Sequence, residues 1–549
     1  MNDPTDTPEL RKGRGAFFTP ADITGFVADW AIRDVGDRVM EPSAGDAAFL
    51  VSAVERLSQL GAESGAPEVD GVEIHADSAQ AARRRVREAG GKANVQHCDF
   101  FDITPSGTYD VVIGNPPFIR YQNFSGESRA KSREAALRGG VALSGLASSW
   151  AAFVVQSALF LKPGGRLGLV LPAELLSVNY AGPVRKFLLD RFRQVQLVLF
   201  AEQVFPEAEA DVVLLLAEGY GQGPAEQMLI RQSQNARGLA HLEAGQAWTP
   251  ANPAGKWTGS LVDAATLNHL ERLVCEGQFS ALQAWGDTTL GIVTGNNKYF
   301  AVSPERANAM GLQRGELLRL SPPGSSHLRG LALTSGHLAK LGKEGQSTLL
   351  FYPRDKPSAQ AMAYIEDGQR TGVDTAYKCR VRKVWYRVPL VAPADLLLTC
   401  MNADTPRLTA NEAGAYHLNS VHGVYLQAEE REIGRELLSL ASLNSVTLLH
   451  AEIVGRAYGG GILKIEPKEA DLWAVPSSAL VRARASALRL VKQPVAALLA
   501  EGDLHAAVKL VDQALLADGN VLTAHWIEQF RAARALMAKR RETRSNRGN

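Results

Sequence analysis

The sequence predicts an α/β protein, with a doubly wound sheet in the N-terminal half and a separate mixed α+β domain behind it. Three observations carry this reading. Between about residues 20 and 220, strand-length apolar runs alternate with amphipathic stretches of helix length, the order expected when helices cross over between parallel strands. The strands of that region end on short polar or glycine-bearing segments, and ligands of open α/β sheets bind at that carboxyl edge. From about 219 to 260 the pattern loosens into Gly, Gln, Pro and Ala, and beyond it the strands are shorter and the loops more frequent. The predicted layout is a sheet domain over 11–222, a junction over 223–260, a second domain over 261–530 and a basic, frayed tail over 531–549.

Taken in order, an amphipathic helix over 21–34 opens after Thr19-Pro20. A short strand, Arg38 to Glu41, runs into Pro42-Ser43-Ala44-Gly45-Asp46, and a helix continues through Leu60. The strand Val69 to Ile74 carries Glu73 near its end and leads into the helix Ala79 to Ala89. Asn94 to Cys98 reads as a third strand closed by Asp99-Phe100, and Tyr109 to Gly114 as a fourth, ending on Asn115-Pro116-Pro117-Phe118. A helix from Trp150 to Leu161, the turn Lys162-Pro163-Gly164-Gly165 and the strand Arg166 to Leu171 follow, then the apolar strand Asp211 to Leu216.

The strand ends offer what a nucleoside cofactor and a planar base need. The small residues Pro42 to Gly45 let backbone approach a ligand at the start of a helix, although a plain tight turn has the same composition. A carboxylate at Glu73 stands where both hydroxyls of a ribose can be held, or is a solvated strand-end acid. Asp99 either accepts from a base amine, with Phe100 beside the ring, or caps a helix. At Asn115 the side-chain amide oxygen and the carbonyl of Pro116 present two acceptors, and Phe118 supplies a flat face. Two acceptors beside a stacking platform form a socket for an exocyclic amine.

With the segment Gly13-Arg14-Gly15-Ala16-Phe17-Phe18-Thr19-Pro20 ahead of the first strand, the order of these motifs resembles the gamma-class adenine-N6 DNA methyltransferases, over about residues 11 to 220. The resemblance implies a Rossmann-like domain that binds S-adenosyl-L-methionine through Thr19, Pro20, Glu41, Pro42, Ser43, Ala44, Gly45, Glu73, Asp99, Phe100 and Asn115. It also implies catalysis by Asn115, Pro116, Pro117 and Phe118, and stacking of a flipped adenine by Phe118 with Phe153 and Phe205. For Phe153 a core position is the competing reading. Ala47 departs from the pattern, since a second glycine is common there. The implied protein acts on double-stranded DNA in a restriction–modification system, beside a separately acting cognate endonuclease. Methylation of RNA guanine or of protein glutamine, and a role as a subunit needing a specificity partner, are the alternatives.

Bulk properties bound these readings. A chain of 549 residues is long for one domain. A net charge of +1 gives no overall basic field, so any nucleic-acid surface must be local. Cys98, Cys275, Cys379 and Cys400 form no Cys-x-x-Cys pair, which argues against a zinc framework and fits a reducing cytoplasm. The polar N-terminus and strand-length apolar runs predict neither signal peptide nor membrane span, and no metal is implied. In the C-terminal half, three segments suggest DNA contacts. Asn296, Asn297 and Lys298 sit in a polar turn, which a simple hairpin also explains. Lys378, Arg380 and Arg382 fall on one face of a predicted strand over Tyr377 to Arg387. Arg456 and Lys464 flank a glycine-rich segment, Gly455 to Pro467.

Overall fold

The structure, a computed structural model, describes residues 19–61, 65–205, 212–250, 252–353 and 356–543. Gly13 to Phe18, Asp211 at the start of the predicted apolar strand, and the tail beyond Thr543 therefore lie outside the described residues. The chain divides into two compact units, Met1–Leu261 and Val262–Asn549.

The first unit is mixed α/β, built on one nine-stranded sheet. Its strands are β1 (Val39–Glu41), β2 (Glu68–Glu73), β3 (Lys92–His97), β4 (Tyr109–Gly114), β5 (Leu161–Pro172), β6 (Phe192–Phe200), β7 (Val212–Tyr220), β8 (Met228–Ser233) and β9 (Gln246–Trp248). They lie in the order β3-β2-β1-β4-β5-β7-β6-β8-β9. Pairing is parallel from β3 through to β5, and again between β6 and β8. β7 runs antiparallel to β5 and β6, and β9 to β8. Val111, Val112 and Ile113 are fully buried, as the unbroken apolar run of β4 requires of a strand covered on both faces. β1 has β2 on one side and β4 on the other, so the chain order turns back there. The segments after β1, β2 and β4 consequently meet at one edge.

The predicted junction is corrected. Residues 223–260 contain β8 and β9, which extend the sheet, with Met228 and Ile230 buried at alternate positions. The glycines that suggested a linker instead build the turn after β7, where Gly219 and Gly221 adopt φ of 74° and 76°.

The second unit contains a four-stranded antiparallel sheet in the order Gly286–Leu290, Val421–Leu426, Leu396–Thr399 and Leu408–Ala410. Two smaller three-stranded sheets and a set of C-terminal helices accompany it. The predicted strand at 377–387 is not one. Tyr377–Arg380 is a helical turn whose Cys379 is buried, and the alternating cations that suggested a strand face splay around it. The basic segment from 531 belongs to the helix Ala524–Thr543, which buries Phe530, Met537 and Arg541, at helical spacings of seven and four. No single described helix is long and apolar enough to cross a membrane.

Candidate active site at the carboxyl edge of the first sheet

The site is assembled by close approach of two strand ends. Gly114 closes β4, and a Cβ there would lie 3.2 Å from the ring Cδ of Pro42 and 3.4 Å from Cγ of Glu41. Without a side chain at 114 the loop after β1 can sit against the loop after β4. Ser43 Oγ then donates to the Asn115 carbonyl at 3.2 Å.

Asn115 is held by one end of its amide. Its Nδ2 donates to Thr19 Oγ1 at 3.2 Å, while its Oδ1 is buried and has no hydrogen-bond partner among the described residues. A buried acceptor left open in this way is costly unless something donates to it. Pro116 is buried beside it, and Phe118 is half-buried. Phe118 packs against an apolar cluster that includes Phe200, Val204 and Phe205. Phe205 is only 4% exposed.

Sequence reasoning missed the side chain that fixes this loop. Ser149 Oγ hydrogen-bonds the carbonyl of Pro117 and accepts from the Ile119 amide at 2.9 Å, while the Ser149 amide donates to the Ile119 carbonyl at 3.1 Å. Ser149 opens the helix Ser149–Leu159. Its neighbour Trp150 is fully buried and donates to Tyr180 Oη at 3.1 Å, and Tyr180 donates to Glu174 at 2.7 Å. Burial, and then the Glu174 charge, push the Tyr180 phenol above its ordinary value. No sequence motif signals hydrogen bonds of this kind.

The loop after β1 is tied to the loop after β2. Glu73 is 7% exposed, and its carboxylate accepts from the Gly45 amide at 2.8 Å and the His75 amide at 2.9 Å. Ala44 N donates to the Val72 carbonyl at 2.8 Å. Ala47, in the position where the family pattern favours glycine, has φ +65°, a left-handed conformation that a Cβ disfavours. Glu41 is buried, and its Oε2 has no hydrogen-bond partner among the described residues. Burial, then the nearby charges of Asp46 and Glu73, hold its carboxyl well above the usual range. At the next strand end Asp99 caps the short helix Phe100–Asp102 through the Phe101 amide at 3.0 Å, while Ile74 is an exposed aliphatic beside Glu73.

The structure gives Phe153 the core position that was its competing reading and buries Phe100 with it. Phe100 stacks on Phe153 at 5.2 Å between ring centroids and on Phe160 at 5.4 Å, and Phe101 meets Phe153 edge-on at 4.8 Å. With Phe100 and Phe153 both buried in this group, neither ring offers a free face to a cofactor or a base. A cavity of about 620 Å³ lies at the opposite, amino edge of the strands, lined by Asp37, Arg38, Pro67, Lys92 and Asn94. It is remote from every residue of the chemistry above.

In the second unit the structure joins two segments that sequence kept apart. Gly295, at φ +89°, packs its turn on the helical turn at 377–380, where a Cβ would lie 3.0 Å from Cβ of Lys378. Asn296 caps Tyr299 N at 3.2 Å, and Asn297 Oδ1 accepts from the Thr294 hydroxyl at 2.6 Å. Arg382 donates to the Val293 carbonyl at 2.7 Å and the Trp385 carbonyl at 3.3 Å, so it clamps the two segments. Lys298, Lys378 and Arg380 remain exposed. Arg456 pairs with Glu469 at 2.8 Å, and Lys464 with Glu466 at 2.5 Å. These two cations are thus neutralised by carboxylates of the short helix that follows their hairpin.

The comparisons with known proteins follow the same division. Residues 70–205 match the family of the Eco57I restriction-modification methylase, and residues 254–516 match the C-terminal domain of the type II methyltransferase M.Eco57I. The type II methyltransferase M.XamI of Xanthomonas campestris pv. amaranthicola is 26% identical over 492 residues, covering 84% of this chain and 85% of that protein. M.AccI of Acinetobacter calcoaceticus is 23% identical, with the same coverage of 84% and 85%. Among solved structures, the type IIL restriction-modification enzyme MmeI in complex with DNA shares the fold at TM-score 0.57 and 12% identity, over 92% of this chain and 73% of that one. Both halves of the chain are therefore similar to type II restriction–modification methyltransferases.

Proposed function

We propose that the protein is a sequence-specific DNA methyltransferase that uses S-adenosyl-L-methionine to methylate the N6 amine of adenine, as the modification partner of a separately acting endonuclease. The observation that carries this is the open Oδ1 of Asn115, a buried acceptor with its own amide nitrogen already held by Thr19. An exocyclic amine is the donor that fits it. The Asn115 Oδ1 and the Pro116 carbonyl take the two amine hydrogens, which localises the nitrogen lone pair and turns it toward the methyl donor. Both acceptors are fixed before the base arrives, so little reorganisation remains for the transition state.

The edge suits the cofactor. Carboxylates at Glu73 and Asp99 stand at successive strand ends, opposite in sign to a sulfonium and an ammonium, with Glu41 and the Arg85-paired Asp46 after the first strand. Glu73 uses its carboxylate on two amides, and since a carboxylate has about four acceptor sites, capacity for ribose hydroxyls remains. Ile74 provides the apolar contact for the adenine ring, in place of the buried Phe100. The bound cofactor supplies a methyl activated by positive sulfur. The target atom is inaccessible inside a duplex, so the base is rotated out and stacks on Phe118, with Phe205 supporting the wall behind it. In the second unit, Lys298, Lys378 and Arg380 serve as phosphate contacts, and Arg382 holds the surface that presents them.

The test is methyl transfer from radiolabelled S-adenosylmethionine to plasmid DNA, followed by modified-base analysis and single-molecule sequencing. N6-methyladenine at one short motif, abolished by Asn115→Ala, is the expected result. Label in another base would keep the DNA methyltransferase and correct the base. No label in DNA with cofactor bound would overturn the reading.

A further inference from the structure

The segment immediately after the catalytic motif is polar and exposed, yet it is tied down more firmly than a connecting loop needs to be. Arg120, Tyr121, Gln122 and Asn123 all face solvent. At its start the segment is gripped by Ser149, through both the amide and the carbonyl of Ile119. In the middle, Asn123 N donates to the Arg120 carbonyl at 2.9 Å and closes a turn. At its end Phe124 is buried, and Arg129 hydrogen-bonds the carbonyls of both Phe124 and Tyr121. A guanidinium committed to two backbone carbonyls under a surface turn orders the backbone and leaves the outward side chains exposed.

Arg120 heads that turn. Among the described residues no carboxylate pairs with it, whereas Lys131 pairs with Asp102 and Glu127, and Arg138 with Glu134. It lies five residues beyond Asn115, on the same rigid exit from β4. A base lifted out of a duplex must be held at the base by the socket and at the backbone by something cationic, because the extruded nucleotide carries its phosphates with it.

We infer that Arg120 is a phosphate-binding positioning residue, contacting the DNA backbone next to the flipped nucleotide from a turn preorganised by Ser149 and Arg129. The ligand is a phosphodiester of the target strand. The contact adds affinity without sequence information, and because its support is built in advance, little ordering cost falls on binding. This inference rests on the DNA reading above.

The experiment uses the full chain with Arg120→Gln and Arg120→Lys. It measures affinity for plasmid DNA across a salt series, methyl transfer, and cofactor binding by calorimetry. Arg120 is exposed, so both variants are expected to fold, with circular dichroism as the check. For Arg120→Gln, DNA affinity falls about tenfold, and the slope of log affinity against log salt is reduced by about one. Cofactor affinity stays as in the wild type. Arg120→Lys recovers the salt slope and only part of the affinity, because it keeps the charge and loses the fork. Wild-type slope and affinity in Arg120→Gln, with an active wild type, would overturn the inference and leave the DNA reading standing. A wild type that neither binds nor methylates DNA would overturn both.

Discussion

The candidate site of the first unit and the cationic segments of the second use polar side chains in different ways. At the carboxyl edge of the first sheet, acceptors are buried and left open: Asn115 Oδ1 and Glu41 Oε2 have no hydrogen-bond partner among the described residues. In the second unit, three of the six cations that look like DNA contacts in sequence are consumed internally, Arg382 on two carbonyls and Arg456 and Lys464 on Glu469 and Glu466. A reaction centre must keep unsatisfied groups for its ligand, whereas a scaffold of short strands and loops relies on charge-assisted bonds to hold its shape. Residue type alone does not separate the two uses; whether a group's bonding capacity is already spent does.

The comparison can be broken at its strongest point. Asn115→Ala removes the open acceptor and is expected to lower kcat for DNA methylation by about 10²–10³-fold, with cofactor affinity changed far less. A small loss in single-turnover assays would mean that the acceptor was not waiting for the substrate. Next in size, Arg382→Gln removes the clamp between the 293–297 turn and the helical turn at 377. About 1–3 kcal/mol of stability should go with it, read by urea denaturation. If unfolding is unchanged but DNA binding collapses, Arg382 belongs with the contacts and not the scaffold.

The exposed cations sharpen the contrast. Replacing both Lys378 and Arg380 by Gln should leave thermal stability within error and flatten the salt dependence of DNA binding by about 0.9 per lost phosphate contact. Proton linkage tests the first unit. With Glu41 held above its ordinary range in the absence of ligand, a cationic cofactor favours its ionised form, so binding releases protons and tightens as pH rises from the usual carboxylate range. Calorimetry in buffers of different ionisation enthalpy measures this, and Glu41→Gln should abolish the linkage. For stability the sign is the reverse. A raised folded-state pKa means that wild-type stability falls as pH climbs above the unfolded value, and the Gln variant removes that fall. The smallest effect belongs to Ala47→Gly, expected to stabilise by about 0.5–1 kcal/mol as the left-handed conformation loses its Cβ cost.

Much of the first unit was legible because topology places strand ends, and strand ends carry the chemistry. Asn115, Glu73 and the Pro42–Gly45 loop could be ordered from the apolar runs alone, and the structure brings them to one edge. Ser149 and Arg129 were not legible, since a hydroxyl or guanidinium bonding to main chain leaves no spacing rule. Phe153 was ambiguous because an aromatic in an apolar helix reads the same whether it faces a base or other rings. Over 377–387 the alternation of cations suited a strand, but Cys379 is buried and the window is short enough for one helical turn to satisfy it. Between 223 and 260, glycine and proline marked a turn between strands of one sheet rather than a domain boundary.

The helix Ala524–Thr543 gives the second unit a schedule. Arg541 pairs with the buried Glu452 at 3.0 Å and hydrogen-bonds the carbonyls of Gly461, Ala403 and Asp404. The glycine-rich hairpin and the segment at 403–404 are therefore fastened by a side chain that emerges from the ribosome 80 residues after Gly461. Until then Glu452 is a carboxylate without its counterion, and the hairpin has no anchor on that side. A chain not yet extended to residue 541 lacks these bonds, so this part of the second unit is fastened only once that helix is present.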